Sequence, residues 1–191
     1  MGEAARRRQE IFAWRGTLSQ EELVIADVSM ALFDKFIRPM GYTGGCYHMA
    51  FWLTEYLRTR RNVIVTPIIG FVNDGTDDIM ISHAWIEINS KKTDVTLAVT
   101  DRQRSGSLLI LDRAISRGDC SYSYHTIEPD ASRQASERLG VIDPRWKAAM
   151  GEKDAEHVQM SNVASDPTLI RKYLDSAPTE LSFDAIIRFL E

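Results

Sequence analysis

The chain has 191 residues, of which 44% are hydrophobic and 26% charged, with 11 glycines and 6 prolines. At roughly 150 residues per domain this reads as one globular domain, and neither a collagenous nor a disordered composition fits. Twenty-seven acidic against 23 basic residues leave a net charge of −4, which argues against a broad nucleic-acid footprint.

From Met1 to Glu10 the chain is polar and carries Arg6, Arg7 and Arg8 with no apolar run behind them. That is no signal peptide, so a reducing cytoplasm is expected. A first helix is predicted over Glu3–Trp14, stopped at Gly16. Ser19 and Glu22 form a capping box that opens a second helix. Leu23, Ala26, Met30, Phe33 and Ile37 give it one buried stripe before Pro39 ends the run. The Gly41, Gly44 and Gly45 loop leads into a third helix, Cys46 to about Arg60, with Cys46, Met49, Ala50, Leu53 and Leu57 on one face.

After Asn62 the texture becomes β-branched, with strands predicted over Val63–Val72, Ile79–Ile88 and Asp94–Thr100 as an antiparallel meander. Val63–Val72 is about half the length a membrane helix needs, so no transmembrane segment is expected. Pro67 cannot donate to a ladder and makes the first strand an edge or a bulged strand. Further strands are predicted near Leu108–Leu111 and Tyr122–Ile127. Beyond Pro129 the chain turns helical, with Asp166-Pro167 as one helix start and Ser182 opening Phe183–Leu190. Helices, then strands, then helices is an α+β order, read as a single domain over 1–191 with its core at 41–128 and a helical region at 130–191.

Two cysteines, Cys46 and Cys120, and four histidines, His48, His83, His125 and His157, leave eight Cys–His pairings for thiol chemistry. They exclude a multi-disulfide framework, although one Cys46–Cys120 bridge stays open. Cys46 opens a helix, where unpaired N–H groups and the positive dipole end favour a thiolate. The same cysteine, on an apolar helix face, also suits core packing. His83 sits in an apolar strand and needs a partner: either a thiol, as a general base does, or a satisfied place in the core. Asp94 follows on the next strand. A two-residue turn at Asn89-Ser90 sets His83 opposite Thr96, with Asp94 on the diagonal; a turn at Ser90-Lys91 moves Asp94 out of reach, so contact needs the first register or a bulge.

His48 lies about 200° round the helix from Cys46 and faces away from its thiol. His125, near Cys120, has no helix start beside it, and His157 reads as an exposed helix residue. No zinc spacing, P-loop or dinucleotide fingerprint occurs, so no cofactor and no metal is expected.

Gly44-Gly45-Cys46, then Ser82-His83-Ala84-Trp85, then Asp94-Val95-Thr96 together resemble the transglutaminase-like branch of the papain-like cysteine enzymes, in its compact bacterial peptidase form. The match covers residues 41 to 100. The resemblance implies a Cys46 nucleophile, a His83 base and an orienting Asp94, with the cysteine helix packed on an antiparallel sheet. It implies a cysteine hydrolase or acyltransferase acting on a peptide, protein or amide substrate through a thioester; charge and hydropathy lead to the expectation of no nucleic-acid and no membrane partner. The same family contains non-catalytic relatives, so a peptide- or protein-binding module is the alternative. Tyr42 and Gly45 are candidates for the oxyanion region, Tyr42 serving equally as a loop anchor, and Trp85 is a candidate cleft wall. Substrate identity and oligomeric state stay open.

Overall fold

A computed structural model describes residues 2–101 and 104–190 of the chain. It is α+β. Helix α1 spans Glu3–Arg15 and α2 Gln20–Leu32. Ser19 Oγ accepts from Glu22 N while a Glu22 carboxylate oxygen accepts from Ser19 N, the reciprocal box read from sequence. The helical path does not end at Pro39. It widens into a π turn over Phe33–Ile37, tightens into α3 (Arg38–Met40), and stops at Gly41 with φ 56°. Pro39 has no N–H for the Lys35 carbonyl four residues back, and a π turn is one way a helix absorbs that lost bond.

Helix α4, Cys46–Arg61, is the centre of the molecule. Its buried face is wider than one stripe: Met49, Phe51, Trp52, Leu53 and Leu57 are all at most 1% exposed. On one side it meets α2; on another it meets the sheet; and the C-terminal helices cover the rest. The helices on α4 are α7 (Pro167–Asp175) and α8 (Phe183–Leu190), while α5 (Asp130–Ile142) packs on α6 (Pro144–Ala164) and α6 on the sheet. The core cluster therefore runs from Ile25 to Ile187. Trp52 Nε1 donates to the Phe183 carbonyl at 3.1 Å and Lys35 Nζ to the Leu190 carbonyl at 2.7 Å.

The main sheet is antiparallel, in the order β3-β2-β1-β6, with β1 Thr66–Asn73, β2 Ile81–Ile88, β3 Lys91–Thr93 and β6 Ser123–His125. β1 to β3 form an antiparallel meander whose third strand lies ahead of the predicted one. β6 pairs β1 only at Phe71–Asn73, so beside Pro67 β1 has its ladder on the β2 side alone, an edge condition that tolerates proline. Ile88 pairs Lys91 across Asn89-Ser90, both at positive φ (49° and 62°), a type I′ hairpin.

The predicted strand over Asp94–Thr100 is not one. β3 ends at Thr93, and Asp94 Oδ1 accepts from Thr96 N at 2.9 Å, an Asx turn that takes the backbone out of the ladder. Asp94 instead makes an isolated bridge to Leu109, in a second hairpin of β4 (Leu108–Ile110) and β5 (Arg113–Ser116) that the sequence did not suggest in full. Among the described residues no helix is long and apolar enough to cross a membrane.

Candidate active site

Gly44 and Gly45 shape the entry to α4 for different reasons. Gly44 has φ +71°, a left-handed conformation with open space around it. Gly45 is the N-cap, and its Cα lies so close to the Tyr42 ring that any side chain there would collide with the phenol. No side chain caps α4, so the first-turn N–H groups beside Cys46 have no side-chain acceptor. Cys46 is partly exposed there, and both cysteines are free, which closes the Cys46–Cys120 option.

His83, on β2, and Asp94, just past β3, are both buried, at 3% and 2% exposure. His83 Nε2 lies 2.7 Å from Asp94 Oδ2. The Asn89-Ser90 register places Asp94 on the diagonal, and the Asx turn aims its carboxylate at the ring. With Nε2 committed to Asp94, Nδ1 is the nitrogen left for the thiol. Burial disfavours charge on His83, but the charges of Asp94 and Cys46 and the hydrogen bond to Asp94 outweigh it, raising the imidazole well above its ordinary value. Burial would raise Asp94, and the His83 charge and hydrogen bonds from His83 and Thr96 lower it instead. Cys46, His83 and Asp94 are thus brought together.

Asp94 has two further donors that the sequence did not single out. Thr96 Oγ1 donates to Oδ1 at 2.9 Å, and the Tyr124 hydroxyl donates to Oδ2 at 2.9 Å. Tyr124 comes from β6, at the opposite sheet edge from β3, so the sheet must curl to close this contact. Gly70, at the centre of β1, leaves room for the Trp85 ring, which meets Tyr124 edge-on at 5.2 Å. Trp85 is 2% exposed and its indole N–H donates to Glu87, so it supports Tyr124 from within and does not line an open cleft.

The residue after Cys46 and the residue before His83 are also joined. Tyr47 OH lies 2.7 Å from Ser82 Oγ, which lies 2.6 Å from His157 Nδ1 on α6. His157 is therefore not the exposed helix residue expected from sequence. It is half-buried, stacks on Phe71 at 4.5 Å, and burial lowers its basicity. This chain ties the start of α4 to β2, and so sets the spacing between thiol and imidazole.

Tyr42 packs against Phe36 at 5.6 Å as well as over Gly45, serving as loop anchor while its phenol sits at the helix entrance. Burial, then the Cys46 charge, keep it protonated as a donor. Tyr173 of α7 is raised to about 12 by burial and by the charges of Tyr42, Cys46 and Glu156, so this helix lies near the thiol.

The other histidines are accounted for. His48 is buried with Nε2 2.8 Å from the Leu181 carbonyl, and His125 Nε2 is 3.2 Å from Ser123 Oγ. Among the described residues no group of three or more His, Cys, Asp or Glu side chains could hold a metal. Size does not mark this site: a cavity of about 520 Å³ lies instead between α5 and α6, against Trp146 and Met150. No protein-family model, curated protein or solved structure matches the chain.

Proposed function

We propose that this chain is a thiol-dependent hydrolase or acyltransferase acting on a peptide or amide substrate, built as a transglutaminase-like variant of the papain-like enzymes. The observation that carries this reading is the buried His83–Asp94 pair, 2.7 Å apart, set against a cysteine at an uncapped helix start. A core histidine needs one satisfied partner; this one has a carboxylate on Nε2 and a thiol for the other nitrogen. Free cysteines suit a reducing cytoplasm.

In the proposed reaction His83 holds the Cys46 proton and the thiolate attacks an amide carbonyl, forming a C–S bond. The oxyanion is stabilised by first-turn N–H groups of α4, with the Tyr42 hydroxyl as a side-chain donor. Collapse breaks the C–N bond, and His83 returns the proton to the leaving amine. Water or a second amine, deprotonated by His83, then attacks the thioester and releases Cys46.

Thiol alkylation tests this directly. Near pH 6, iodoacetamide should label Cys46 at least about tenfold faster than Cys120, whose thiol is raised by burial and shares a contact with the Ser105 carbonyl. His83→Ala should erase the difference. Slow and equal labelling of both cysteines in the unmodified chain would remove the catalytic reading and favour the binding module.

A further inference from the structure

The chain is acidic overall, yet one cavity is lined by cations. About 330 Å³ in volume, it opens between the early turns of α1 and the β5 side of the second hairpin, against Arg6, Arg7, Glu10, Arg113 and Arg117. Glu10 divides its carboxylate between two guanidiniums, with Oε1 3.5 Å from Arg6 Nε and Oε2 3.8 Å from Arg113 Nη2. Neither pair is tight. Arg7 and Arg117 have no ion-pair partner among the described residues. Among the described residues four guanidiniums face one carboxylate around one concavity, a local excess of three positive charges in a molecule whose net charge is −4. Such an arrangement repels itself until an anion enters, and guanidinium forks match phosphate oxygens two at a time.

We propose that this cavity binds the phosphate groups of a small polyphosphorylated ligand. Its volume is at the low end for small-molecule sites. Among the described residues Ile11 and Ala114 are its only apolar lining residues, and no aromatic ring faces it. With no aromatic platform for a nucleobase among the described residues and the guanidiniums turned to phosphate, recognition rests on the oligophosphate, free or as the tail of a nucleotide. The site is separate from Cys46 and stands whether or not the thiol is catalytic.

Calorimetric titration of the full chain at fixed ionic strength, with sodium tripolyphosphate, metal-free ATP and sulfate, tests the proposal. One-site binding of tripolyphosphate is expected, with sulfate far weaker and ATP within about threefold because its base is unread. Arg117→Gln alone, at an exposed position, should weaken tripolyphosphate severalfold, and Arg7→Gln with Arg117→Gln by about tenfold or more. The charge-matched control Arg60→Gln with Arg138→Gln should leave it unchanged. ATP bound more than about tenfold tighter, and lost in the same variants, would support the site with a nucleotide as the source of the phosphates. No binding of either phosphate compound, or equal loss in both double variants, would overturn it.

Discussion

Asp94 accepts from four donors: the His83 ring, the Tyr124 hydroxyl, and the Thr96 N–H and hydroxyl. A buried carboxylate keeps its charge only where donors replace the water it has lost, and each donor removed leaves a charged acceptor unsatisfied. Tyr124→Phe is therefore expected to cost about 1–3 kcal/mol of stability in urea unfolding. In a double-mutant cycle with Asp94→Asn most of that cost should vanish, because the neutral amide no longer needs the donor.

The pair also predicts a pH signature. His83 is raised from 6.5 to about 10 and Asp94 is lowered from 3.8. The folded state thus holds a proton on His83 that the unfolded state loses first. The stability it contributes is full below about pH 6.5 and is lost as pH rises through the folded value. The Asp94 contribution is present above about pH 4 and is lost as pH falls through its lowered value. Against a His83→Gln/Asp94→Asn reference, the unfolding free-energy difference should be flat between these limits and decline on both sides. A difference that rises from pH 7 to 9 would contradict the charged pair.

At the scale of elements, one hairpin decides whether the pair exists. Both residues of the Asn89-Ser90 turn have positive φ, which serine adopts at a cost and glycine does not. Ser90→Gly is expected to stabilise the protein by about 1 kcal/mol, read from the thermal midpoint, with Cys46 reactivity unchanged. A glycine inserted between Asn89 and Ser90 shifts the register by one and turns Asp94 to the opposite face. That variant should lose the preferential labelling of Cys46 at pH 6. The element missed in sequence, the Asx turn, was written in Asp94-Val95-Thr96; β-branched Val95 and Thr96 read as strand formers until the carboxylate competes for the Thr96 N–H.

For the whole molecule, the C-terminal helices are structural partners of α4. Ile170, Leu174, Phe183, Ile186 and Ile187 are all buried in the common core. At about 1.5–3 kcal/mol per side chain their burial is comparable with the entire stability of a domain. Removing residues 167–191 also strips Trp52 and His48 of their carbonyl acceptors at Phe183 and Leu181. The truncated chain is expected to lose its cooperative urea transition, monitored by circular dichroism, even though the stretch from Gly44 to Thr96 is intact. Substitution of Trp52 by alanine should cost about 3–5 kcal/mol for the same reason.

Local chemistry determined much of this protein without help from distant contacts. The capping box at Ser19, the helix opening at Cys46 and the caps at Asp166 and Ser182 are all written within a few residues, because caps are satisfied by near neighbours, whereas the sequence left the hairpin turn open between Asn89-Ser90 and Ser90-Lys91. The candidacy of Cys46 and His83 was legible for the same reason. What only the tertiary structure decided is which groups converge on them. Tyr124 reaches Asp94 because the sheet curls, and His157 reaches Ser82 because α6 docks on β1. These contacts span 30 and 75 positions of chain, distances over which periodicity and spacing carry no register.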